Sequence, residues 1–331
     1  MATRLVTVFG ASGFVGRHVV QRLAAKGALV RAAVRHPDNA LYLKPMGYVG
    51  QITPVQANIR DAASVRAAVD GADAVVNLVG ILYESGKQRF DAVQAAGAAA
   101  VAKAAQAAGC RSLVQMSSLG AAPLSPSAYA RSKAAGEKAV RDAFPDAVIF
   151  RPSVLFGPQD GFFNRFAAMA QVSPGLPVFG CPFPRLKDGK LDLYGSGGTK
   201  FQPVYVGDVA EAVMKGIEDA ATRGKTYELG GPRVYSSVEI MRMVLAETGR
   251  RRLIVPLPFW LGSILGFFGG LLPVPPITRD QVALLKSDNV VSGKLPGLRD
   301  LGIDPTAAEV IVPTYLDVYR RGGRFGRARL A

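Results

Sequence analysis

The sequence has 331 residues, 49% of them hydrophobic, so it can bury a large core in one or two lobes and is too apolar for a disordered protein. Its formal net charge of +15 indicates acidic partners, such as anionic lipid or an acidic protein surface. Nucleic acid is the least favoured partner because the arginines are scattered, and only two cysteines and two histidines, without metal-ligand spacing, argue against a disulfide framework or a metal site.

The chain starts with a strand that runs into a glycine-patterned turn. Gly10 allows a sharp turn, Gly13 allows close approach to a pyrophosphate, and Gly16 allows the next helix to pack on the sheet. Ser12 and Phe14 lie inside this turn and are further candidate cofactor contacts. The position of the turn between a strand and a helix predicts a dinucleotide site at a helix N-terminus.

Strands and helices then alternate along the chain. Strands are predicted near residues 4–9, 28–34, 51–56, 73–79, 112–117 and 147–150, and helices over 62–69, 90–108 and 127–144. This alternation predicts an α/β fold with a doubly wound parallel sheet, a Rossmann domain. We expect that domain over 1–170, completed by pieces near 200–230, and a smaller C-terminal lobe over 171–331, with loops over 171–203.

The second strand ends without an acidic residue to bind the ribose hydroxyls of NAD; Asp38 follows only after Pro37. Arg35 stands at the strand end and can form a forked, charge-assisted contact with a 2′-phosphate. Arg17, directly after the last glycine, is a second cation for the same group. This pattern favours NADPH (NADP) as the cofactor.

The third and fourth strands end in further candidate contacts. Asn58 and Ile59 follow the third strand and are expected to hold the edge and face of adenine. Leu78, Val79 and Gly80 end the fourth strand, where small or apolar residues permit close approach to the cofactor.

The fifth strand and the helix after it carry residues suited to proton transfer. Ser117 and Ser118 end the strand, while Tyr129 and Lys133, four residues apart, share one helical face. An ammonium near the phenol favours the phenolate, which can exchange a proton with a substrate oxygen during hydride transfer. A serine hydroxyl opposite would orient a carbonyl, and counting from the strand end favours Ser118 for this position.

These motifs together resemble the extended or atypical short-chain dehydrogenase/reductase superfamily. Within it, the chain is similar to the family of NADPH-carrying accessory subunits of respiratory complex I, along stretches 10–20, 34–35, 129–145, 156–157, 202–209 and 277–280. The resemblance implies a tightly held NADPH, little or no turnover, and a structural role on the peripheral arm near the membrane.

The resemblance also implies residue roles. Gly10, Gly13, Gly16 and Arg35 would hold the phosphates of NADPH. Tyr129 and Lys133 would face the nicotinamide ribose, and Pro152 would lie beside the nicotinamide ring. In place of the asparagine that active members use for proton relay, this chain has Gln94, so we expect the Ser118, Tyr129 and Lys133 set to turn over poorly.

Residues 253–278 contain no charged residue and are flanked by Arg250–Arg252 and Arg279. A membrane-spanning helix needs about 20 apolar residues, and prolines cut this segment to 259–272. Three interpretations remain: a buried helix, an interfacial helix among headgroups, or a helix that docks on a partner. The arginine flanks suit anionic lipid, and the basic tail from Tyr319 to Arg329 is a second candidate for such contact.

The leading hypothesis is an NADPH-binding accessory subunit of bacterial respiratory complex I. Its partners would be peripheral-arm and membrane-arm subunits and anionic lipid, at the cytoplasmic face of the inner membrane; the first strand begins near Met1, so no targeting segment is expected. One alternative is an NADP-dependent reductase or epimerase acting on a hydrophobic or quinone-like substrate. Another is a membrane-associated assembly factor in which the nucleotide only stabilises the fold.

Overall fold

The computed structural model describes residues 4–182, 185–187, 190–270, 272–273 and 275–323. Its strands are β1 Leu5–Phe9, β2 Leu29–Val34, β3 Ile52–Gln56, β4 Ala74–Asn77, β5 Ser112–Met116, β6 Val148–Pro152, β7 Leu155–Phe156, β8 Gly175–Phe179, β9 Arg185–Lys187, β10 Lys190–Asp192, β11 Lys200–Phe201, β12 Val204–Tyr205, β13 Thr226–Leu229, β14 Tyr235–Ser236 and β15 Leu253–Leu257.

The α-helices are α1 Phe14–Ala25, α2 Ala62–Val69, α3 Gly97–Ala107, α4 Ala128–Ala143, α5 Phe163–Val172, α6 Val206–Glu218, α7 Ser237–Thr248, α8 Phe259–Gly269, α9 Arg279–Leu284, α10 Ala308–Ile311 and α11 Pro313–Leu316. A π-helical turn covers Asp91–Ala96, and 3₁₀ segments cover Pro37–Met46, Ala220–Thr222, Arg299–Leu301 and Asp317–Tyr319.

The main sheet has seven parallel strands in the spatial order β13-β6-β5-β4-β1-β2-β3. The chain runs outward from β1 to β3, returns to β4 beside β1, and continues outward to β6. Strand β13 arrives later in the chain and closes the far edge beside β6. The predicted doubly wound α/β Rossmann fold is therefore confirmed.

The central strands are buried on both faces because helices cover both sides of a parallel sheet. Strands β4 and β5 are buried along their whole length. One hydrophobic core packs residues of α2, α3 and α4, including Val65, Val101 and Val140, against Val75 and Leu113 of the sheet. This packing fixes the carboxyl ends of the strands, where the candidate site residues lie.

The chain divides into two compact units. The first consists of Met1–Pro152, Val206–Leu229 and Ser292–Asp304 and contains the main sheet; the second consists of Ser153–Tyr205, Gly230–Val291 and Pro305–Ala331. The sequence-based boundary at residue 170 falls within α5, which belongs to the core of the second unit.

The range 171–203, expected to be loops, contains the strands β8, β9, β10 and β11, so that expectation is wrong at these strands. Strand β8 pairs in parallel with β15, and β11 pairs with β14. Both partners lie far along the chain, so the local richness in glycine and proline concealed the pairing.

The apolar segment forms β15 and α8. The buried residues of α8 are its glycines, Gly262, Gly266 and Gly269. A Cβ on Gly262 would lie 2.5 Å from the Phe179 ring, and one on Gly266 would lie 2.7 Å from the Arg279 amide nitrogen. Helix α8 therefore packs on the rest of the second unit through the backbone at its glycines.

The larger side chains of α8 point away from the unit. We call Trp260, Ile264, Leu265, Phe267 and Phe268, all exposed, the α8 surface. An ordinary buried helix thus does not describe this segment, while Leu271 and Val274 lie outside the described residues. Within the described ranges, no helix combines the length and the hydropathy that crossing a bilayer requires. The predicted basic tail lies mostly beyond residue 323, outside those ranges.

Candidate functional site

The turn after β1 is shaped by its glycines. Gly10 has a φ of 76°, in the left-handed region, and a Cβ on it would lie 3.3 Å from the carbonyl carbon of Leu78. A Cβ on Gly16 would lie only 2.2 Å from the Gly10 carbonyl oxygen. Gly13 is the N-cap residue of α1, and its amide donates to the same oxygen at 2.9 Å. The N-terminus of α1 is thereby held beside the end of β1, where a pyrophosphate fits.

The residues within this turn are accessible to solvent. Gly13 is exposed, and Ser12 and Phe14 are half-buried. The exposure of Gly13 leaves open the approach that the sequence predicts for a phosphate.

The end of β2 places a cation next to the turn. Arg35 is exposed and, in the part of the chain that the structure describes, has no hydrogen-bond or ion-pair partner, while the Gly10 amide donates to the Ala33 carbonyl at 3.1 Å. Arg17 is on the first turn of α1, and its guanidinium carbon is 5.4 Å from the centre of the Tyr42 ring. Sequence reasoning missed Tyr42, since the 3₁₀ segment that carries it has no recognisable motif.

The two adenine candidates differ in position. Asn58 is anchored locally: its side-chain oxygen accepts from the Arg60 amide at 3.2 Å. Ile59 is only 7% exposed, and its side chain lies within 2.9 Å of the Cβ position of Gly97, in the core of the first unit. Ile59 therefore packs as a core residue here.

The residues after β4 lie next to the catalytic candidates. Leu78 and Val79 are half-buried, and Val79 donates its amide to the Asn77 side-chain oxygen at 3.2 Å. Gly80 is exposed, and a Cβ there would come within 3.2 Å of the Lys133 ammonium nitrogen. The absence of a side chain at position 80 keeps one side of Lys133 open.

Tyr129 and Lys133 share one face of α4, as the spacing predicts. The Lys133 Nζ lies 5.8 Å from the centre of the Tyr129 ring, and the Phe90 ring packs edge-on against that tyrosine. Lys133 is buried and donates one long hydrogen bond, 3.4 Å, to the Met116 carbonyl. Burial lowers the pKa of Lys133 to about 8, although the nearby Glu137 carboxylate opposes the shift.

The two serines after β5 have separate environments. The Ser117 hydroxyl donates to Glu137, which also forms a bidentate ion pair with Arg151. This pairing raises the pKa of Arg151. Ser117 is thus committed to a buried network, and Glu137, one turn after Lys133 and unremarked by sequence reasoning, is its centre.

Ser118 has no such commitment. Its Oγ is buried, and among the described residues nothing forms a hydrogen bond with it. A buried hydroxyl without a partner is costly, and a bound ligand can satisfy it. Pro152, which ends β6, is buried, and its carbonyl accepts from the Leu119 amide at 3.0 Å, so β6 is linked to the loop that carries Ser118.

Gln94 lies in the π-helical turn before α3. Its side-chain nitrogen donates to the Ile81 carbonyl at 2.7 Å, and its oxygen accepts from the Ser132 hydroxyl at 3.3 Å. A Cβ on Gly136 of α4 would lie 2.1 Å from the Gln94 carbonyl oxygen. The Ser132 hydroxyl also donates to the Tyr129 carbonyl, at the shorter distance of 2.8 Å, so Gln94 is anchored mainly through its nitrogen. Gly136 lets α4 approach this turn closely.

This arrangement fits a dinucleotide. The turn presents a helix N-terminus to phosphates, while Ser118 and Lys133 offer hydrogen-bond donors beside the open backbone at Gly80. In the described ranges, no group of three or more His, Cys, Asp or Glu residues has the geometry of a metal site.

Comparison with known proteins places this site in a family. The profile of the NAD dependent epimerase/dehydratase family matches residues 6–230. The chain is 35% identical, over 92% of its length and 78% of the relative's, to the mouse mitochondrial NADH dehydrogenase [ubiquinone] 1 alpha subcomplex subunit 9. It is 36% identical to a ceramide reductase of Caulobacter vibrioides over 54% of each chain.

Solved structures agree on the fold. An NADPH-dependent quinone oxidoreductase from Escherichia coli, solved with NADPH, superposes with a TM-score of 0.67 at 22% identity, covering 94% of this chain and 99% of that chain. Sheet order, glycine turn and sequence similarity agree: the chain belongs to the NAD dependent epimerase/dehydratase family of Rossmann-fold, short-chain-dehydrogenase-like proteins, and over most of its length it is similar to the alpha subcomplex subunit 9 of NADH dehydrogenase.

Proposed function

We propose that this protein is an NADPH-binding accessory subunit of bacterial respiratory complex I with little or no turnover of its own. The observation that carries the proposal is the 35% identity to the mouse complex I subunit over 92% of the chain. Identity that continues through the second unit, beyond the cofactor-binding family match at 6–230, supports a shared role for the whole chain.

NADPH is the proposed nucleotide because of the charges at the end of β2. Arg35 is exposed at the tip of that strand and Arg17 lies on the first turn of α1. The acidic residue that would bind the adenosine ribose hydroxyls of NAD is absent from the tip. A 2′-phosphate would add charge-assisted contacts to both cations, whereas NADH would leave Arg35 without an ion-pair partner among the described residues.

The residues at the carboxyl edge of the sheet would hold the other half of the nucleotide. When bound, NADPH supplies hydride chemistry at its nicotinamide ring. Lys133 would donate to the nicotinamide ribose, and the Ser118 hydroxyl would gain the partner that it lacks among the described residues. Tyr129, with its phenol beside the Lys133 ammonium, is placed to hold or transfer a proton at its hydroxyl oxygen.

Low turnover is proposed from Gln94. The Ile81 carbonyl anchors its amide nitrogen at 2.7 Å, and its longer side chain stands where active members use an asparagine for proton relay. The buried charge of Lys133 then serves nucleotide binding.

Attachment to a membrane-associated complex is proposed through the α8 surface. Trp260 and Phe268 are 64% and 63% exposed, and no charged residue lies between Leu253 and Thr278. Arg279, which lies over the Phe267 ring, and the arginines at 250–252 border the segment. An apolar helix bordered by arginines suits the boundary of an anionic leaflet, beside the membrane arm and peripheral arm of the complex, at the cytoplasmic face.

A second candidate function is an NADP-dependent reductase acting on a hydrophobic or quinone-like substrate. The Ser118 hydroxyl, which has no hydrogen-bond partner among the described residues, favours it together with Tyr129 and Lys133 on one helical face. The two candidates differ in whether NADPH is consumed.

Purification of the tagged protein from detergent-solubilised membranes tests the proposal. We expect complex I subunits to co-purify and NADPH to be released, near one per chain, on denaturation. Tyr129→Phe should leave both results unchanged. The proposal would be overturned, and the reductase established, if the protein purified without complex I subunits and oxidised NADPH steadily, and if Tyr129→Phe abolished that oxidation.

A further inference from the structure

Tyr42 folds back from the 3₁₀ segment after β2 onto the glycine turn. Its hydroxyl donates to the Ser12 carbonyl oxygen at 2.7 Å, and the residue is 42% exposed. Ser12 lies between Gly10 and Gly13, so this hydrogen bond ties the phosphate-binding turn to the segment that begins two residues after Arg35.

The ring of Tyr42 also contacts Arg17. The guanidinium carbon lies 5.4 Å from the ring centre, a cation–π distance. Arg17 further donates to the Gly13 and Ser12 carbonyls, but at 3.3 Å and 3.4 Å these hydrogen bonds are long. The aromatic face of Tyr42 is a further restraint on where the Arg17 charge stands.

The charges around this point are mainly positive. Burial, together with Arg22 and Arg17, lowers the pKa of His18. Arg22 is 3.6 Å from Glu211, whereas Arg35 has no ion-pair partner in the described ranges. The phenylalanine ring of Phe14 packs edge-on against His18. Asp38 is the nearby acid on the 3₁₀ segment, and it is exposed.

We propose that Tyr42 is a positioning residue for nucleotide selectivity, acting through Arg17. Its ring holds the Arg17 guanidinium where a 2′-phosphate would bind, and its hydroxyl holds the turn that receives the pyrophosphate. The ring contact therefore favours NADPH alone, while the hydroxyl contact favours NADPH and NADH equally. This inference rests on the NADPH preference in the proposed function.

The two contacts can be separated by substitution. Tyr42→Leu removes both, and Tyr42→Phe removes only the hydroxyl. Titration calorimetry of each purified variant, stripped of nucleotide, would give the Kd for NADPH and for NADH. Tyr48→Leu is the matched control because Tyr48 is on the adjoining loop and 85% exposed.

We expect Tyr42→Leu to raise the ratio of the NADPH Kd to the NADH Kd by roughly 2- to 30-fold, the range of a cation–π contact. Tyr42→Phe should weaken both nucleotides by the same factor, roughly 2- to 10-fold, and leave the ratio unchanged. In an Arg17→Ala background, Tyr42→Leu should not change the ratio further. Tyr48→Leu should change neither Kd.

Three results would overturn the inference while leaving NADPH as the cofactor: an unchanged ratio in Tyr42→Leu, a changed ratio in Tyr42→Phe, or the same ratio change with and without Arg17. If the wild-type protein prefers NADH, the proposed cofactor itself is wrong.

A second measurement serves if Tyr42→Leu folds poorly. His18 and His36 are the two histidines of the sequence, so their proton resonances are readily assigned. In nucleotide-free Tyr42→Phe, which keeps the ring, the pKa of His18 should stay as in the wild type. In Tyr42→Met it should change, because the Arg17 charge, one of the causes of the lowered pKa of His18, is no longer held by the ring. An unchanged pKa of His18 in Tyr42→Met would refute the contact's role.

Discussion

Replacing Phe268 with aspartate tests whether the α8 surface is an attachment site. Phe268 is 63% exposed, so burying the remainder in a membrane interface would contribute about 1–2 kcal/mol, two thirds of the value for full burial of an apolar side chain. A carboxylate near an anionic leaflet adds about 1 kcal/mol of repulsion. Together these lower membrane partitioning roughly 30- to 150-fold.

Flotation with vesicles that contain anionic lipid measures this partitioning. We expect Phe268→Asp to remain with the soluble fraction while its melting temperature and NADPH content match the wild type, since exposed substitutions change stability by about 0.5 kcal/mol or less. Leu124→Asp is the matched control: it replaces an apolar residue that is 97% exposed, in the first unit, and should leave flotation unchanged.

Gly266→Ala should give the opposite result. Its methyl group would lie 2.7 Å from the Arg279 amide nitrogen and so should destabilise the second unit. If Phe268→Asp unfolds or loses NADPH, α8 is part of the core and the reasoning fails. If it floats as well as the wild type, the attachment lies outside this surface.

Three further predictions concern the nucleotide site. Arg35→Ala should weaken NADPH binding roughly 10- to 100-fold, the value of a hydrogen bond to a charged group, with NADH binding within twofold of wild type; equal losses by calorimetry would contradict the role of Arg35. Gly13→Val, whose Cβ would lie 3.1 Å from the Gly10 carbonyl oxygen, should lower NADPH occupancy and melting temperature together, because the nucleotide stabilises only the native state; full NADPH in the purified variant would refute the glycine-turn interpretation. Lys133→Met should stabilise the nucleotide-free protein at pH 7 while weakening NADPH binding. Burial lowers the folded-state pKa of Lys133 to about 8, so below that pH the folded protein bears the cost of a buried charge, and between pH 8 and the unfolded pKa of about 10.4 the free energy of unfolding should rise by about 3 kcal/mol. Urea unfolding should show this rise in the wild type and not in Lys133→Met; an equal rise in both would contradict it.

The parts of the fold that the sequence predicts are those set by local pattern. The strand before Gly10 and the helix at 127–144 follow from hydrophobic periodicity and from glycine spacing. The structure has both with ends within one or two residues of the predicted ones. The alternation of strands and helices also predicts the parallel sheet, because parallel neighbouring strands are joined by crossover connections, which are usually helices.

Contacts between residues far apart in the sequence were not predictable. Counting from the strand end favours Ser118 over Ser117, but the physical difference comes from Glu137 of α4. Glu137 accepts from the Ser117 hydroxyl, whereas the Ser118 hydroxyl has no hydrogen-bond partner among the described residues. The packing of Gly97 on Ile59 is likewise invisible in the sequence, and the predicted contact of Ile59 with adenine stays a prediction. The position of Glu137 on the same face of α4 as Lys133 follows from their spacing of four residues. Its ion pair with Arg151 could not be predicted, because Arg151 is on β6 and the pair depends on how α4 packs on the sheet.

Gly136 is not among the candidate nucleotide contacts, but its lack of a side chain sets the position of residues that are. Because a methyl group there would meet the Gln94 carbonyl oxygen at 2.1 Å, Gly136→Ala would push the whole helix α4 outward as a rigid rod. Tyr129, Lys133 and Glu137 would all move with it, since they belong to that helix. The positions of these three side chains therefore depend on Gly136, which is not itself a candidate nucleotide contact. A mutational search restricted to nucleotide contacts would miss it.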